Sequence, residues 1–231
     1  MKTFKNTLGF KYLFLFVVIA VAALSSCKKD NSVSADTSAK GSAFLMITNA
    51  ADGSASQDLL IDNVKLSGST VAYTQSTGYI AVPAGDHSAQ FVTTGTTTVN
   101  SSTTLSLQAG QYYSVYYSGS STSSASSSSS DDLSAPSSGK AKVRFVNLSA
   151  ALTGAVDFGT SATNKLATNL AAKVASAYYT VDAATTFNVY LAGSSTASLA
   201  IPATIQAGKI YTIYISGATT ATLTYKVVAQ N

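Results

Sequence analysis

The chain has 231 residues, of which 10% are charged, with one Cys, one His and no Glu. A single cysteine excludes an internal disulfide, so stability must come from packing. The formal net charge is +4, but Lys2, Lys5 and Lys11 account for three of the 14 basic residues and precede an apolar run. If that segment is removed the rest is nearly neutral, and with one Arg it does not suit a nucleic-acid backbone.

The opening residues follow the grammar of an export signal: the three lysines, an apolar run from Tyr12 to Leu24, then the small pair Ser25 and Ser26. As a helix the run would reach roughly 20 Å, short of the roughly 30 Å hydrocarbon core, so a permanent span is not expected. Leu24-Ser25-Ser26-Cys27 resembles a lipobox, which implies cleavage of residues 1–26 and lipidation of Cys27. Two or more acyl chains hold a protein stably on a membrane where one does not. Residues 27–42 then read as a flexible tether of polar residues without apolar periodicity. Its start, Lys28-Lys29-Asp30, resembles that of many Bacteroidetes lipoproteins, which implies the outer membrane, on its surface or its periplasmic face.

Compared with itself at an offset of about 98 residues, the chain shows an internal repeat. Phe44-Leu45-Met46-Ile47-Thr48-Asn49 matches Lys142-Val143-Arg144-Phe145-Val146-Asn147, Gln108-Ala109-Gly110 matches Gln206-Ala207-Gly208, and Tyr79 pairs with Tyr178. Two domains are expected, 43–119 and 140–231. Between them, residues 120–139 are dominated by serine and carry too little apolar surface to fold alone, so a mobile linker is expected there. O-glycosylation, or calcium at Asp131 and Asp132, is the sharper reading of this stretch, although two adjacent acids make a weak ligand set.

Within each copy, short runs of alternating apolar and polar residues are separated by Gly, Pro, Asp or Ser clusters. Val143, Phe145 and Asn147 fall on one strand face, Lys142 and Arg144 on the other. Tyr113, Val115 and Tyr117 align with Tyr211, Ile213 and Ile215 as inward positions. The fold class is therefore all-β, two tandem immunoglobulin-like β-sandwich domains behind a lipoprotein signal peptide. Gly110-Gln111-Tyr112-Tyr113 and Gly208-Lys209-Ile210-Tyr211 each place an aromatic just after a glycine turn, as in a tyrosine corner, whose hydroxyl would close a backbone hydrogen bond.

The stretch from Asp131 to Asn147 resembles the junction between repeats in proteins of the bacterial domain of unknown function family 4397. Val146-Asn147 followed by Val156-Asp157, the turn Val82-Pro83-Ala84-Gly85, and Ala109-Gly110-Gln111-Tyr112 fit the same pattern. Copy two departs from it, with Asp182-Ala183-Ala184 at the Pro-Ala-Gly turn. The resemblance implies a β-domain in the cell envelope and supplies no catalytic residue.

For an enzyme the ingredients are sparse, and none is expected. His87 follows a turn, and no Gly-x-Ser-x-Gly elbow presents a serine to it. The Ser-x-x-Lys spacing at Ser137 and Lys140 lies in the expected linker. Asp58 and Asp157 occupy equivalent positions and suit loop caps better than a catalytic pair. No metal or cofactor is expected, since zinc ligands and the Asp-x-Asp-x-Asp calcium loop are missing from the sequence. If Tyr113, Val115 and Tyr117 face inward, then Tyr112 and Tyr116 face out, joined in copy two by Tyr214. Such tyrosines would form a platform for a glycan or a surface protein unless the sister domain covers them. The row Lys140, Lys142, Arg144 reads as a solvated strand edge. The expected function is that of a lipid-anchored envelope spacer or binding module. A glycan-binding accessory lipoprotein is the first alternative, and a hydrolase built on His87 the second.

Overall fold

A computed structural model describes residues 41–231. The signal segment, Cys27 and the tether lie outside the described residues. The first repeat contains β1 (Ser42–Asn49), β2 (Gln57–Ile61), β3 (Val64–Lys65), β4 (Ile80–Pro83), β5 (Gly85–Thr93), β6 (Val99–Leu107), β7 (Tyr112–Gly119) and β8 (Ser124–Asp131). The second contains β9 (Lys140–Asn147), β10 (Val156–Gly159), β11 (Lys165–Leu170), β12 (Tyr179–Asp182), β13 (Phe187–Leu191), β14 (Ala197–Ile201), β15 (Ile210–Ser216) and β16 (Thr224–Ala229). Among the described residues, no helix is long and apolar enough to cross a membrane.

The strands form sheets ordered β4-β1-β7-β8 and β3-β2-β5-β6 in the first repeat, and β12-β9-β15-β16 and β11-β10-β13-β14 in the second. Each repeat is thus a sandwich of two four-stranded sheets, and the two follow one plan strand for strand. The strand order is its own. An immunoglobulin domain places its first, second, fourth and fifth strands in one sheet, whereas here β1 joins β4, β7 and β8. In both repeats the first strand runs parallel to the seventh, β1 to β7 and β9 to β15.

Alternation along the strands builds the cores as expected. Leu45, Ile47, Val115 and Tyr117 pack with Leu59 and Phe91 in the first repeat, and Val143, Phe145, Tyr211, Ile213 and Ile215 pack with Phe158 and Phe187 in the second. Both tyrosine corners form. The Tyr113 hydroxyl accepts a hydrogen bond from Gln108 N at 3.1 Å, and the Tyr211 hydroxyl accepts one from Gln206 N at 3.3 Å. The β2–β3 hairpin turns on Asp62 and Asn63, with φ of 50° and 67°, a two-residue loop in which both positions must be left-handed. Gly119 and Gly217 sit in the β7–β8 and β15–β16 hairpins at φ of +103° and +123°, where an added Cβ would lie 2.3 Å from Ser123 O and 2.5 Å from Thr222 O.

The serine-rich stretch is not a mobile linker throughout. Ser124–Asp131 forms β8, paired with β7 from Tyr112↔Asp131 to Gly119↔Ser124. A strand needs backbone partners, which β7 supplies, and contact with the facing sheet, which β6 supplies, so serine's weak intrinsic preference for sheet is overridden by its neighbours. The connection between the repeats shrinks to residues 132–139, and the first domain runs to Asp131.

The Val-Asn motif of the resemblance proves structural. Asn49 is fully buried; its Nδ2 donates to Ala55 O and Val71 O, both at 3.3 Å, while its Oδ1 accepts from Ala51 N at 3.1 Å and Ser54 Oγ at 3.0 Å. Its counterpart Asn147 donates to Leu170 O at 3.3 Å. Removing such a staple strands buried backbone groups. Asn49→Ala is therefore expected to destabilise the protein by about 2 kcal/mol, read as a fall of roughly 5 °C in the thermal midpoint. A midpoint within about 1 °C of the parent would show that the loop holds itself.

Candidate functional site

The outward faces of β7, β9 and β15 carry every residue of the expected platform and of the expected basic row. Their alternation is as read from the sequence, and of the two environments left open for the tyrosines the structure has the covered one for Tyr116 and Tyr214. Tyr116 and Tyr214 are 2% and 0% exposed and join Ala50, Val146 and Leu148 in a third apolar cluster lying between the two repeats. Each repeat covers the outward face of its sister's first sheet, so the tyrosine platform does not form. Tyr112 alone stays half-exposed, stacked on Phe44 at 4.8 Å with the Tyr79 ring edge-on at 4.9 Å.

The basic row is corrected for the same reason. Strand β9 sits inside its sheet between β12 and β15, and Lys142 and Arg144 are buried against the first repeat. Only Lys140 reaches solvent, paired with Asp182. Arg144 Nη2 meets Asp131 Oδ1 at 2.5 Å, with both side chains essentially inaccessible to water. Arg144 also donates through Nε to Thr212 Oγ1 at 2.8 Å, through Nη1 to Ser130 O at 2.8 Å, and through Nη2 to Ser114 Oγ at 3.0 Å and Tyr116 Oη at 2.9 Å. The other carboxylate oxygen of Asp131 accepts from the Tyr79 hydroxyl at 2.6 Å and from Ser114 Oγ at 2.7 Å. Burial opposes the Arg144 charge, but Tyr116 and Asp131 outweigh it and hold the guanidinium above its ordinary pKa.

The network reuses the repeat. Tyr79 donates to Asp131, and its counterpart Tyr178 donates to Gln230 Oε1 at 2.7 Å, the residue that holds Asp131's place beside β15. Gln230 Nε2 then donates to Tyr79 Oη at 3.0 Å and joins the two halves. Burial, reinforced by Asp131 at Tyr79, pushes both phenols well above their usual pKa, so they remain donors. The Tyr178 ring lies 5.2 Å from Lys142 Nζ and 5.1 Å from Arg144 Cζ, within range of cation–π attraction. Lys142 also donates to Asp132 Oδ2 at 2.7 Å and to Ser134 Oγ at 2.9 Å, and this contact draws the Asp132 carboxyl down to about 2. At the far end of the interface Asp52 Oδ2 accepts from Ala218 N at 2.9 Å.

Beside this network an open cleft of about 750 Å³ separates Gln111, Tyr112 and residues 130–134 from Ser176, Ala177 and Tyr178. It is a candidate binding site. Asp131 and Asp132 lie in its wall as partners of Arg144 and Lys142, with no ligand geometry for calcium. Among the described residues no group of three or more His, Cys, Asp or Glu side chains is placed to hold a metal ion.

The hydrolase expectation finds an acid but no nucleophile. His87 Nδ1 lies 2.6 Å from Asp62 Oδ2, and its Nε2 lies 2.8 Å from the Pro83 carbonyl, the place a serine would need. Asp58 is buried under Lys65, Thr70 and Thr94, and Asp157 accepts from Asn169 N and Gly193 N, so both hold loops. Ser137 and Lys140 are joined only through the backbone, Lys140 N donating to Ser137 O at 3.0 Å. The Asp131–Arg144 pair and the Tyr79–Gln230 contact were missed in the sequence. The available signal was a lone Arg on a strand face, with the Tyr79–Tyr178 repeat pair.

The fold and the interface together define an all-β protein of two fused, equivalent sandwiches. Residues 43–159 match the model described as Domain of unknown function (DUF4397), and the protein belongs to that family. The matched segment runs from β1 through the junction to β10. No curated protein matches the chain. Among solved structures, the crystal structure of CBMbc, the family CBM26 module of Eubacterium rectale Amy13K, in complex with maltoheptaose, shares 14% identity with it. The match covers 81% of this chain and 97% of that one at a TM-score of 0.28, too low a similarity to bear on function.

Removing one member of a buried charge pair leaves the other uncompensated. Arg144→Met is expected to destabilise the protein by roughly 3–5 kcal/mol. The double variant Arg144→Met with Asp131→Gln, which installs the residue types of the equivalent positions Met46 and Gln230, should recover most of that loss in denaturant titrations. A double variant no more stable than Arg144→Met would show that the pair is not coupled. The Tyr214 hydroxyl is buried without a hydrogen-bond partner among the described residues, so Tyr214→Phe should leave stability unchanged or raise it by about 1 kcal/mol. Tyr116→Phe, which loses the Arg144 bond, should lower it by a similar amount.

Proposed function

We propose that the protein is a non-catalytic, lipid-anchored component of a bacterial cell envelope, held on the outer membrane through Cys27. Its paired sandwiches act as a stiff spacer and binding module. The observation that carries this reading is the buried interface, in which Arg144, Asp131, Tyr79, Tyr178 and Gln230 join the repeats into one block. A jointed pair of domains would swing independently, whereas this one presents its loops in a fixed direction.

That direction suits a tethered protein. Strand β1 starts at Ser42, and Ser42 O accepts from Gly110 N, so β1 begins at the end of the first sandwich where β7 begins. In the second, Lys140 O accepts from Gly208 N in the same manner. The Asp52–Ala218 contact lies at the opposite end of both repeats, beside the hairpin tips that close on Gly119 and Gly217. The tips of both repeats therefore lie at the end opposite Ser42. A glycan-binding accessory lipoprotein is the second reading, favoured by the cleft beside Tyr112 and Tyr178.

Fractionation of cells expressing the parent and Cys27→Ala tests the anchor. The parent should follow the membranes and the variant should appear among soluble proteins; identical fractionation of the two would overturn the reading. Protease added to intact cells then decides the leaflet, since a surface protein is shaved and a periplasmic one is protected until lysis.

A further inference from the structure

We infer that the cleft between the repeats binds a neutral saccharide chain. This rests on the binding-module part of the reading above and names the ligand class. The volume, about 750 Å³, falls in the range of sites that enclose a small ligand. Its charges are already spent: Asp131 is held by Arg144 and Asp132 by Lys142. The wall thus offers no uncompensated charge to a cation, a phosphate or an ionic peptide.

What remains facing the cleft is the pairing that sugars require. Tyr112 and Tyr178 supply aromatic surface, one from each repeat, against which the apolar face of a pyranose ring packs. The Gln111 amide both donates and accepts, matching the mixed character of sugar hydroxyls, and the Ser134 hydroxyl, which accepts from Lys142 Nζ at 2.9 Å, keeps its proton to donate. Both walls are fixed in advance. Tyr112 is stacked on Phe44, and Tyr178 is held by its bond to Gln230 and by the two cations beside its ring. A preorganised site spends little binding energy on ordering its own side chains. A second, smaller cleft between the repeats, of about 300 Å³, has no aromatic residue in its lining and lacks this pairing.

The test is affinity electrophoresis of the full chain, solubilised in non-ionic detergent, through gels containing dextran, xylan or galactomannan, with dextran sulfate and polygalacturonate as charged controls. Retardation by at least one neutral polymer is expected. Tyr112→Ala, Gln111→Ala and Ala177→Trp should each weaken it by at least about tenfold. Ala177→Trp fills the cleft from an exposed position, so it remains informative if Tyr112→Ala fails to fold. Free migration of the parent in all three neutral gels, retardation by the charged polymers alone, or retardation that survives Ala177→Trp would each overturn the inference. None of these outcomes alters the Cys27 fractionation, so failure here is distinct from failure of the anchored reading.

Discussion

A guanidinium and a carboxylate taken out of water together lose several kcal/mol of hydration each, and their mutual attraction repays this only where geometry and extra hydrogen bonds are favourable. Arg144 and Asp131 meet that condition because they come from different repeats and share donors and acceptors from both. The pair therefore constrains how the sandwiches meet. Sliding one repeat over the other would break several bonds to Arg144 at once and leave a charge stranded among Tyr116, Tyr214 and Val146. An apolar patch alone would tolerate more misalignment, since hydrophobic contact is not directional.

The two repeats meet through equivalent faces, much as two subunits meet across a twofold axis. Duplication within one chain lets the halves diverge, and the charge pair marks where they have. One arm of the interface has Arg144 with Asp131, while the corresponding positions of the other are Met46 and Gln230. A symmetric dimer of one repeat could not place arginine on one side only. The asymmetry gives the fused protein a single register and makes the two sides of the interface chemically different.

Much of this was legible in the sequence, and the boundary falls at particular residues. Strand alternation identified the inward positions of β7, β9 and β15 correctly, because side-chain direction is local. Whether an outward residue meets water or another domain is not local, so Arg144 was placed on the right face and in the wrong medium, while for Tyr116 and Tyr214 both media stayed open. Serine composition misled at Ser124–Asp131, where pairing with β7 overrides it. The repeat held the remedy. Thr224–Ala229 follows β15 as a strand, and the same offset lands on the serine run. The Asn staples and tyrosine corners were visible as motifs, though only the tyrosines could be given a structural role beforehand.

Strand β1 lies inside its sheet, hydrogen-bonded to antiparallel β4 on one side and to parallel β7 on the other. Anything attached upstream of Ser42 and pulled away from the hairpin tips draws on this strand along its length. The bonds to both neighbours are then loaded together in shear, whereas an edge strand pulled sideways would peel one bond at a time. The first element to feel tension is thus the one least able to unzip, and the same layout recurs in β9. Tension applied through the chain before Ser42 would thus meet resistance along the whole strand at once rather than bond by bond.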